Sequence, residues 1–391
     1  MAVLEKIKKA KRVLKEELFS LFSGLLTSRL DVADNKIVLT ADNGTGYRCN
    51  PKYIAEELHR IDPGLDIVWL KDKDSYYDLP EYVRPVTFGS WASVKELATA
   101  KIWVDNGRSK RCIRKKDSQF YLQTWHAYLA PKKVEKDAAD KLTKRYIQNA
   151  VIDAEDTDLM IANNPFIQEL QQNAFWYDGE VRFIDIPRNE PLISADPEKR
   201  SMVCQALGID EKCKICLYAP TFRKDKSTRM YNFDYAGVCK ALEERFGGKY
   251  VFALRLHPGV VDKIDEIDLQ DAINASMYSD TQELLCAVDV LISDYSSIVE
   301  DFVLTGRPGF VYAPDFEDYM NDRGLYYPLE ERPWPVSYTY NELIESIKNF
   351  NAESFEQDRI VFLDKFGVIE SGHGAQEVGK LLYSVIKNTH E

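Results

Sequence analysis

The chain has 391 residues, is 45% hydrophobic and 29% charged, and carries a formal net charge of −12 from 51 Lys and Arg against 63 Asp and Glu. That composition belongs to a folded protein of two or three domains, with nothing near the roughly 18 consecutive apolar residues of a membrane-spanning helix. The acidic balance excludes a broadly basic nucleic-acid surface, and no nucleic-acid partner is expected.

The charge is unevenly placed. Residues 1–30 hold seven basic and three acidic side chains, a local charge of +4 that leaves −16 on the remainder. Leu4, Ile7, Val13, Leu14, Leu18, Leu21, Phe22 and Leu25 recur mostly at three- and four-residue intervals, which predicts an amphipathic helix over 1–32. Such a helix can lie on an anionic cytoplasmic leaflet. The same pattern also suits a helix packed on its own domain with solvated lysines.

From Lys36 the pattern alternates strands and helices. Strands are predicted at Lys36–Ala41, Asp66–Leu70, Lys101–Val104, Gln119–Thr124 and Leu159–Ala162. Helices are predicted at Pro51–Ile61, Trp91–Ala100, Val134–Gln148 and Pro165–Ala174. Strands separated by helices of ten to fifteen residues indicate a parallel sheet covered on both faces. Pro187, Pro191 and Pro197 then fall in a polar stretch, 185–200, which reads as a linker.

The alternation restarts with strands at Lys214–Tyr218, Tyr250–Leu256, Val288–Ser293 and Gly309–Tyr312, helices at Asp234–Phe246 and Ile298–Leu304, and three helices from Tyr340 to Lys387. The expected organisation is a helix over 1–32, an α/β domain over 33–186 and a second α/β domain over 187–391. Seven scattered cysteines, most in apolar runs, fit reduced buried thiols. Cys213 and Cys216 form a lone C-x-x-C without a matching pair, so neither a metal nor a cofactor is expected.

In doubly wound sheets, ligands sit beyond the carboxyl ends of the strands. Two of the five histidines follow strands there: His126 ends Gln123-Thr124-Trp125-His126, and His257 ends Arg255-Leu256-His257. Either alone suits a structural role. One from each half favours a functional role, since a histidine at a strand end in a cleft can act as a base near neutral pH. After Leu291-Ile292-Ser293, the stretch Asp294-Tyr295-Ser296-Ser297 leads into a helix. Ser297 and Glu300 have capping-box spacing, while free amides and two hydroxyls at a helix start also suit an anion. A helix end contributes only about 0.3–1 kcal/mol toward an anion, so a diphosphate needs cations. Arg223, Arg255 and the Lys132-Lys133 pair are candidates. Asp42-Asn43-Gly44-Thr45-Gly46 reads as a tight turn.

The ordered set Gln123-Thr124-Trp125-His126, Asn164-Pro165-Phe166, Pro187-Arg188-Asn189, Tyr218-Ala219-Pro220-Thr221-Phe222-Arg223, Leu256-His257-Pro258, Asp294-Tyr295-Ser296-Ser297 and Asp318-Tyr319…Arg323-Gly324-Leu325-Tyr326-Tyr327 resembles the CDP-glycerol glycerophosphotransferase family of teichoic acid synthesis. The resemblance covers about residues 36–385. It implies a GT-B fold of two facing doubly wound domains, a cytoplasmic location and peripheral attachment to the inner face of the membrane.

It also implies a CDP-glycerol or CDP-ribitol donor and a lipid-linked glycan or alditol-phosphate polymer as acceptor. His126 and His257 match the family's functional histidines. Thr221, Arg223, Asp294, Ser296 and Ser297 match its donor site, with Arg255 as a further donor-side cation. Lys132 and Lys133 are the acceptor-side candidates. After His126 the sequence Ala127-Tyr128-Leu129-Ala130-Pro131 departs from the Gly-Thr-Pro-Leu of many members, which bears on the acceptor and on the alditol. A nucleotide-sugar glycosyltransferase and an inactive nucleotide-binding subunit are the rival expectations.

Overall fold

The computed structural model describes residues 19, 22–108, 113–194, 196–320 and 324–387. The amphipathic helix expected over 1–32 therefore lies mostly outside the described residues; within them, 22–27 are helical.

Two parallel sheets face each other. The first holds β1 (Ala33–Thr40), β2 (Asp66–Lys71), β3 (Val83–Thr87), β4 (Ala100–Asp105), β5 (Phe120–Gln123), β6 (Leu159–Ala162) and β7 (Glu180–Phe183), in the order β3-β2-β1-β4-β5-β6-β7. The second holds β8 (Lys214–Tyr218), β9 (Tyr250–Leu254), β10 (Ile273–Asn274), β11 (Val290–Ser293), β12 (Gly309–Tyr312) and β13 (Val336–Ser337), in the order β10-β9-β8-β11-β12-β13. Both orders reverse direction once, between β1 and β4 and between β8 and β11. Those two switch points are where a doubly wound sheet opens a crevice for ligands. Central strands are buried on both faces: β4, β6, β11 and β12 have no residue open to solvent.

The stretch 185–200 is not a polar linker. Pro187–Asn189 forms one 3-10 turn, and helices follow at Glu190–Ser194 and Pro197–Leu207. Pro187 and Pro197 each occupy a first helical turn, where a missing N–H costs nothing. The predicted helix over Val134–Gln148 is also two elements, a 3-10 stretch at Glu135–Lys141 and a helix at Lys144–Asp156 that Thr143 caps.

The last helix, Gly374–Lys387, returns to the first half and lies along the helix Cys49–Ile61. The approach is so close that a Cβ on Gly379 would sit 2.6 Å from Glu57 Cγ. Buried ion pairs also join the halves. Lys52 donates to Asp280 (2.8 Å) and Glu283 (2.7 Å), and Arg188 to Asp301 (2.6 Å).

Candidate functional site

A cavity of about 520 Å³ lies between the two switch points, lined from both halves. The first half contributes Asp42 beyond β1 and His126 beyond β5, and the 3-10 turn Pro187–Asn189, in the segment that crosses from the first sheet to the second, adds Arg188. The second contributes Thr221 beyond β8, Arg255 and His257 beyond β9, and Ser296 and Ser297 beyond β11. Lys132 also lines it. Among the described residues, four of the eight non-glycine positions with positive φ, namely Asp42, Cys49, Trp125 and Glu135, lie on its wall. Each occupies a sparsely populated backbone region, and such residues gather where geometry is functional.

The two histidines are held in opposite protonation patterns. His126 Nδ1 lies 2.8 Å from the Asn106 carbonyl oxygen. A carbonyl can only accept, so the hydrogen is on Nδ1 and Nε2 is the basic atom. His257 Nδ1 accepts from the Gly259 N–H (3.0 Å), so its hydrogen is on Nε2. Burial lowers the His126 pKa from its ordinary value, and Arg188 adds to this, against the Asn106 carbonyl and Asp42. The ring itself is solvent-exposed on the cavity side. Burial, Lys132 and Arg255 lower His257 likewise. Both rings are therefore neutral near pH 7. Phe222 stacks on His257 at 5.1 Å between ring centroids.

Arg255 is the cation best placed for an anion. Its guanidinium donates to the carbonyls of Ala275 (3.0 Å) and Tyr278 (2.8 Å) and to the Thr281 hydroxyl (3.0 Å). None of these acceptors is charged, so they fix the fork without neutralising it. Burial and nearby Arg48, against the attraction of Asp280, lower its pKa to about 10, which still leaves it charged at neutral pH. Thr221 Oγ1 is buried on the same wall without a hydrogen-bond partner.

Other expected residues sit behind the cavity. Arg223 does not line it. Its guanidinium is tied to Asp294 (2.8 Å) and Asp315 (2.5 Å), and these carboxylates neutralise it. Asp294 is fully buried and accepts from the N–H groups of Thr221 (2.8 Å) and Tyr295 (2.6 Å), so it shapes the turns after β8 and β11. Lys133 is also off the wall, and its N–H meets the Gly324 carbonyl at 3.4 Å. The Ser297–Glu300 capping box is absent: Ser297 makes no capping bond. Glu300 is fully buried and pairs with Arg332 at 2.8 Å. Arg332 in turn donates to the carbonyls of Asp294 and Ser296, fixing the serine turn.

The loop after His126 is seated on the second half. Lys132 bridges to Leu325, the Tyr326 N–H donates to the Pro131 carbonyl (2.5 Å), and the Tyr128 hydroxyl donates to the Glu300 carbonyl (2.5 Å).

Asp42, Arg48, Arg188 and Asp301 line the cavity without having been expected there. Burial pushes the Asp301 carboxyl up to about 6 despite its ion pair with Arg188. Arg188 stands in a quoted motif, and Asp42 follows the first predicted strand. A strand-end search for carboxylates would have found the second. His59 stacks on Tyr82 at 3.8 Å, away from the cavity. His390 lies outside the described residues. Among the described residues, no group of three His, Cys, Asp or Glu is placed to hold a metal ion, and no helix is long and apolar enough to cross a membrane.

The sequence profile of the family described as CDP-Glycerol:Poly(glycerophosphate) glycerophosphotransferase matches residues 23–384. The chain is 31% identical to the teichoic acid poly(glycerol phosphate) polymerase of Bacillus subtilis, over 96% of this chain and 52% of that one. It is 29% identical to the teichoic acid glycerol-phosphate transferase of Staphylococcus aureus, over 95% and 98% of the two chains. It thus spans about half the length of the first relative. A solved structure of the wall teichoic acid polymerase TagF superposes with a TM-score of 0.84 and 27% identity over 99% of both chains. The two facing sheets are accordingly GT-B-like.

Proposed function

The chain belongs to the CDP-glycerol:poly(glycerophosphate) glycerophosphotransferase family, and from that premise we propose that it transfers an alditol phosphate from a CDP-alditol to an acceptor hydroxyl. The observation that carries this reading is the pairing, on one cavity, of a histidine with a basic Nε2 and a histidine with an Nε2–H, beside an arginine that no carboxylate neutralises.

His126 Nε2 takes the proton of the acceptor hydroxyl, which attacks the phosphorus bearing the alditol. General-base help of this kind contributes roughly 10²–10⁴-fold. His257 Nε2–H and Arg255 stabilise charge on the transferred and leaving phosphates, with Thr221, Ser296 and Ser297 lining the donor side. CMP departs with the bonding electrons. Arg223 and Asp294 serve the donor from behind by holding the Thr221 and Tyr295 backbone. Lys132 faces the acceptor side, where Lys133 anchors the loop.

Glycerol or ribitol is the proposed alditol, and a lipid-linked glycan or alditol-phosphate polymer the acceptor. The proposed location is the inner face of the membrane. The +4 segment over 1–30 supports this, as do Phe22, Leu25 and Leu26, exposed at 58%, 72% and 60%.

The test incubates the chain with CDP-glycerol or CDP-ribitol and a lipid-linked acceptor, and scores CMP release. Release that needs both substrates supports the proposal. Release undiminished in His126→Ala removes the base assignment, and no release with either donor removes the transfer itself.

A further inference from the structure

We propose that Asp42 is a positioning residue for His126, holding the ring's orientation and balancing the positive charge it acquires when it takes the acceptor proton. The inference rests on the transfer reading above.

Asp42 and Asn106 stand at the carboxyl ends of β1 and β4, the switch point of the first sheet. They clasp each other twice. The Asp42 N–H donates to Asn106 Oδ1 (2.8 Å), and Asn106 Nδ2 donates to an Asp42 carboxylate oxygen (3.1 Å). Asn106 then uses its carbonyl to receive the hydrogen on His126 Nδ1. A chain of three residues thus runs from the Asp42 carboxylate to the ring.

The backbone conforms to this chain at some cost. Asp42 and Asn43 have φ of +49° and +58°, and Trp125, directly before His126, has φ of +55°. Gly44 completes the turn, since a Cβ there would meet the Leu70 carbonyl oxygen at 2.6 Å. A tight turn alone has no need of an acidic side chain on the cavity wall, yet Asp42 lies on it.

The charges around the ring are few. Asp42 favours the protonated imidazole, and Arg188 opposes it. Arg48 pairs with Asp42 at 2.7 Å, and Cys49 lies near both Asp42 and Arg188. In the transfer step the acceptor O–H bond breaks toward His126 Nε2, the O–P bond forms, and the P–O bond to CMP breaks. The imidazolium is then favoured by Asp42 and opposed by Arg188, and later returns its proton to water. A carboxylate on this side offsets the repulsion from Arg188, as an acidic partner does for a histidine base elsewhere.

The experiment titrates His126 by NMR in the full chain with labelled histidine, and records kcat and KM against pH for CMP release. Asp42→Asn should lower the His126 pKa, move the acid limb of the kcat profile to lower pH, and reduce kcat on the order of tenfold with little change in donor KM. Asp42→Glu should restore part of each. Asn106→Ala, which breaks the clasp but keeps the carbonyl, should move the pKa the same way by less. A His126 pKa unmoved in Asp42→Asn would overturn the proposal, as would a loss of stability with an unchanged pH profile. The titration needs no turnover, so a wild-type chain that releases no CMP would overturn the transfer reading while this coupling is still judged on the ring.

Discussion

His126 and His257 meet the protein through the same ring atom used in opposite senses. Nδ1 of His126 gives a hydrogen to the Asn106 carbonyl, and Nδ1 of His257 receives one from the Gly259 amide. The ring nitrogens left over are therefore a base and a donor. An amide side chain separates the two roles. Gln in place of His257 can still present an N–H near the Nε2 position, whereas Gln in place of His126 offers no useful base. We expect His257→Gln to retain roughly a tenth of the activity and His257→Ala to lose about 10²–10³-fold. His126→Gln and His126→Ala should both lose about 10²–10⁴-fold. Because burial lowers the His126 pKa, the acid limb of kcat/KM in the wild type should fall below the ordinary histidine value of about 6.5. Steady-state CMP release across pH checks both points, and equal losses for the two Gln variants would contradict the assignment.

Arg255 should discriminate by charge. Its three acceptors are uncharged, so no carboxylate is bonded to the fork and its charge can serve a phosphate. Hydrogen bonds to charged groups are worth about 1.5–3 kcal/mol. Arg255→Gln should accordingly weaken CDP-glycerol binding by roughly 10- to 150-fold while leaving cytidine, which has no phosphate, little changed. Calorimetric titration with both ligands measures this. A matching loss for cytidine would mean that Arg255 shapes the wall without contacting phosphate.

Glu300 and Arg332 are both inaccessible to solvent, and their pair holds the Ser296 turn. Breaking such a pair from one side strands a buried charge, at about 3–5 kcal/mol. Glu300→Ala should lower stability by that amount in urea unfolding. Replacing both partners, Glu300→Leu with Arg332→Met, should recover most of it. It should not recover donor binding, since Arg332 also donates to the carbonyls of Asp294 and Ser296. Stability and donor affinity measured on the same double variant separate the two roles of the pair.

The parts legible in the sequence follow a physical division. Leu159–Ala162, Lys214–Tyr218 and Gly309–Tyr312 were predicted with the bounds they have, because strands buried on both faces read as unbroken apolar runs. The four strands not predicted, β3, β7, β10 and β13, are the four sheet edges. They are short or polar, and β3 carries Pro85, which an edge tolerates and a central strand does not. At the site, the strand-end rule pointed to both histidines, Arg255 and the serine turn, all of which line the cavity, whereas Thr221 came from the family resemblance alone. It could not tell a cation facing the cavity from one facing two carboxylates, as Arg223 does. The second carboxylate, Asp315, is 92 residues further on. Ser297 and Glu300 show the reverse case, a local pattern overridden because Arg332 arrives from another element.

Glu370 yields a stability prediction with a definite sign. Its carboxyl accepts from Asn163 (2.7 Å) and Asn189 (3.2 Å), joining the end of β6, the crossing segment and the stretch before the last helix. Glu370 Oε1 and Asn189 Oδ1 are both buried acceptors without a donor. A proton on the carboxyl gives Oε1 a hydrogen to share. Burial, reinforced by Asp185 and opposed by the two asparagines and the Ile186 backbone, pushes the Glu370 pKa up to about 8. An unfolded glutamate titrates near 4.3. The folded chain therefore keeps a proton that the unfolded chain has lost, so stability from this group is complete below the unfolded value and declines as pH rises to about 8. The decline is at most about 5 kcal/mol. Glu370→Gln keeps the shape and holds no titrating proton. Urea midpoints measured from pH 5 to pH 9 should fall more steeply for the wild type than for Glu370→Gln, and the two curves should run parallel above pH 8. Parallel curves across the whole range would show that Glu370 is ionised in the folded chain.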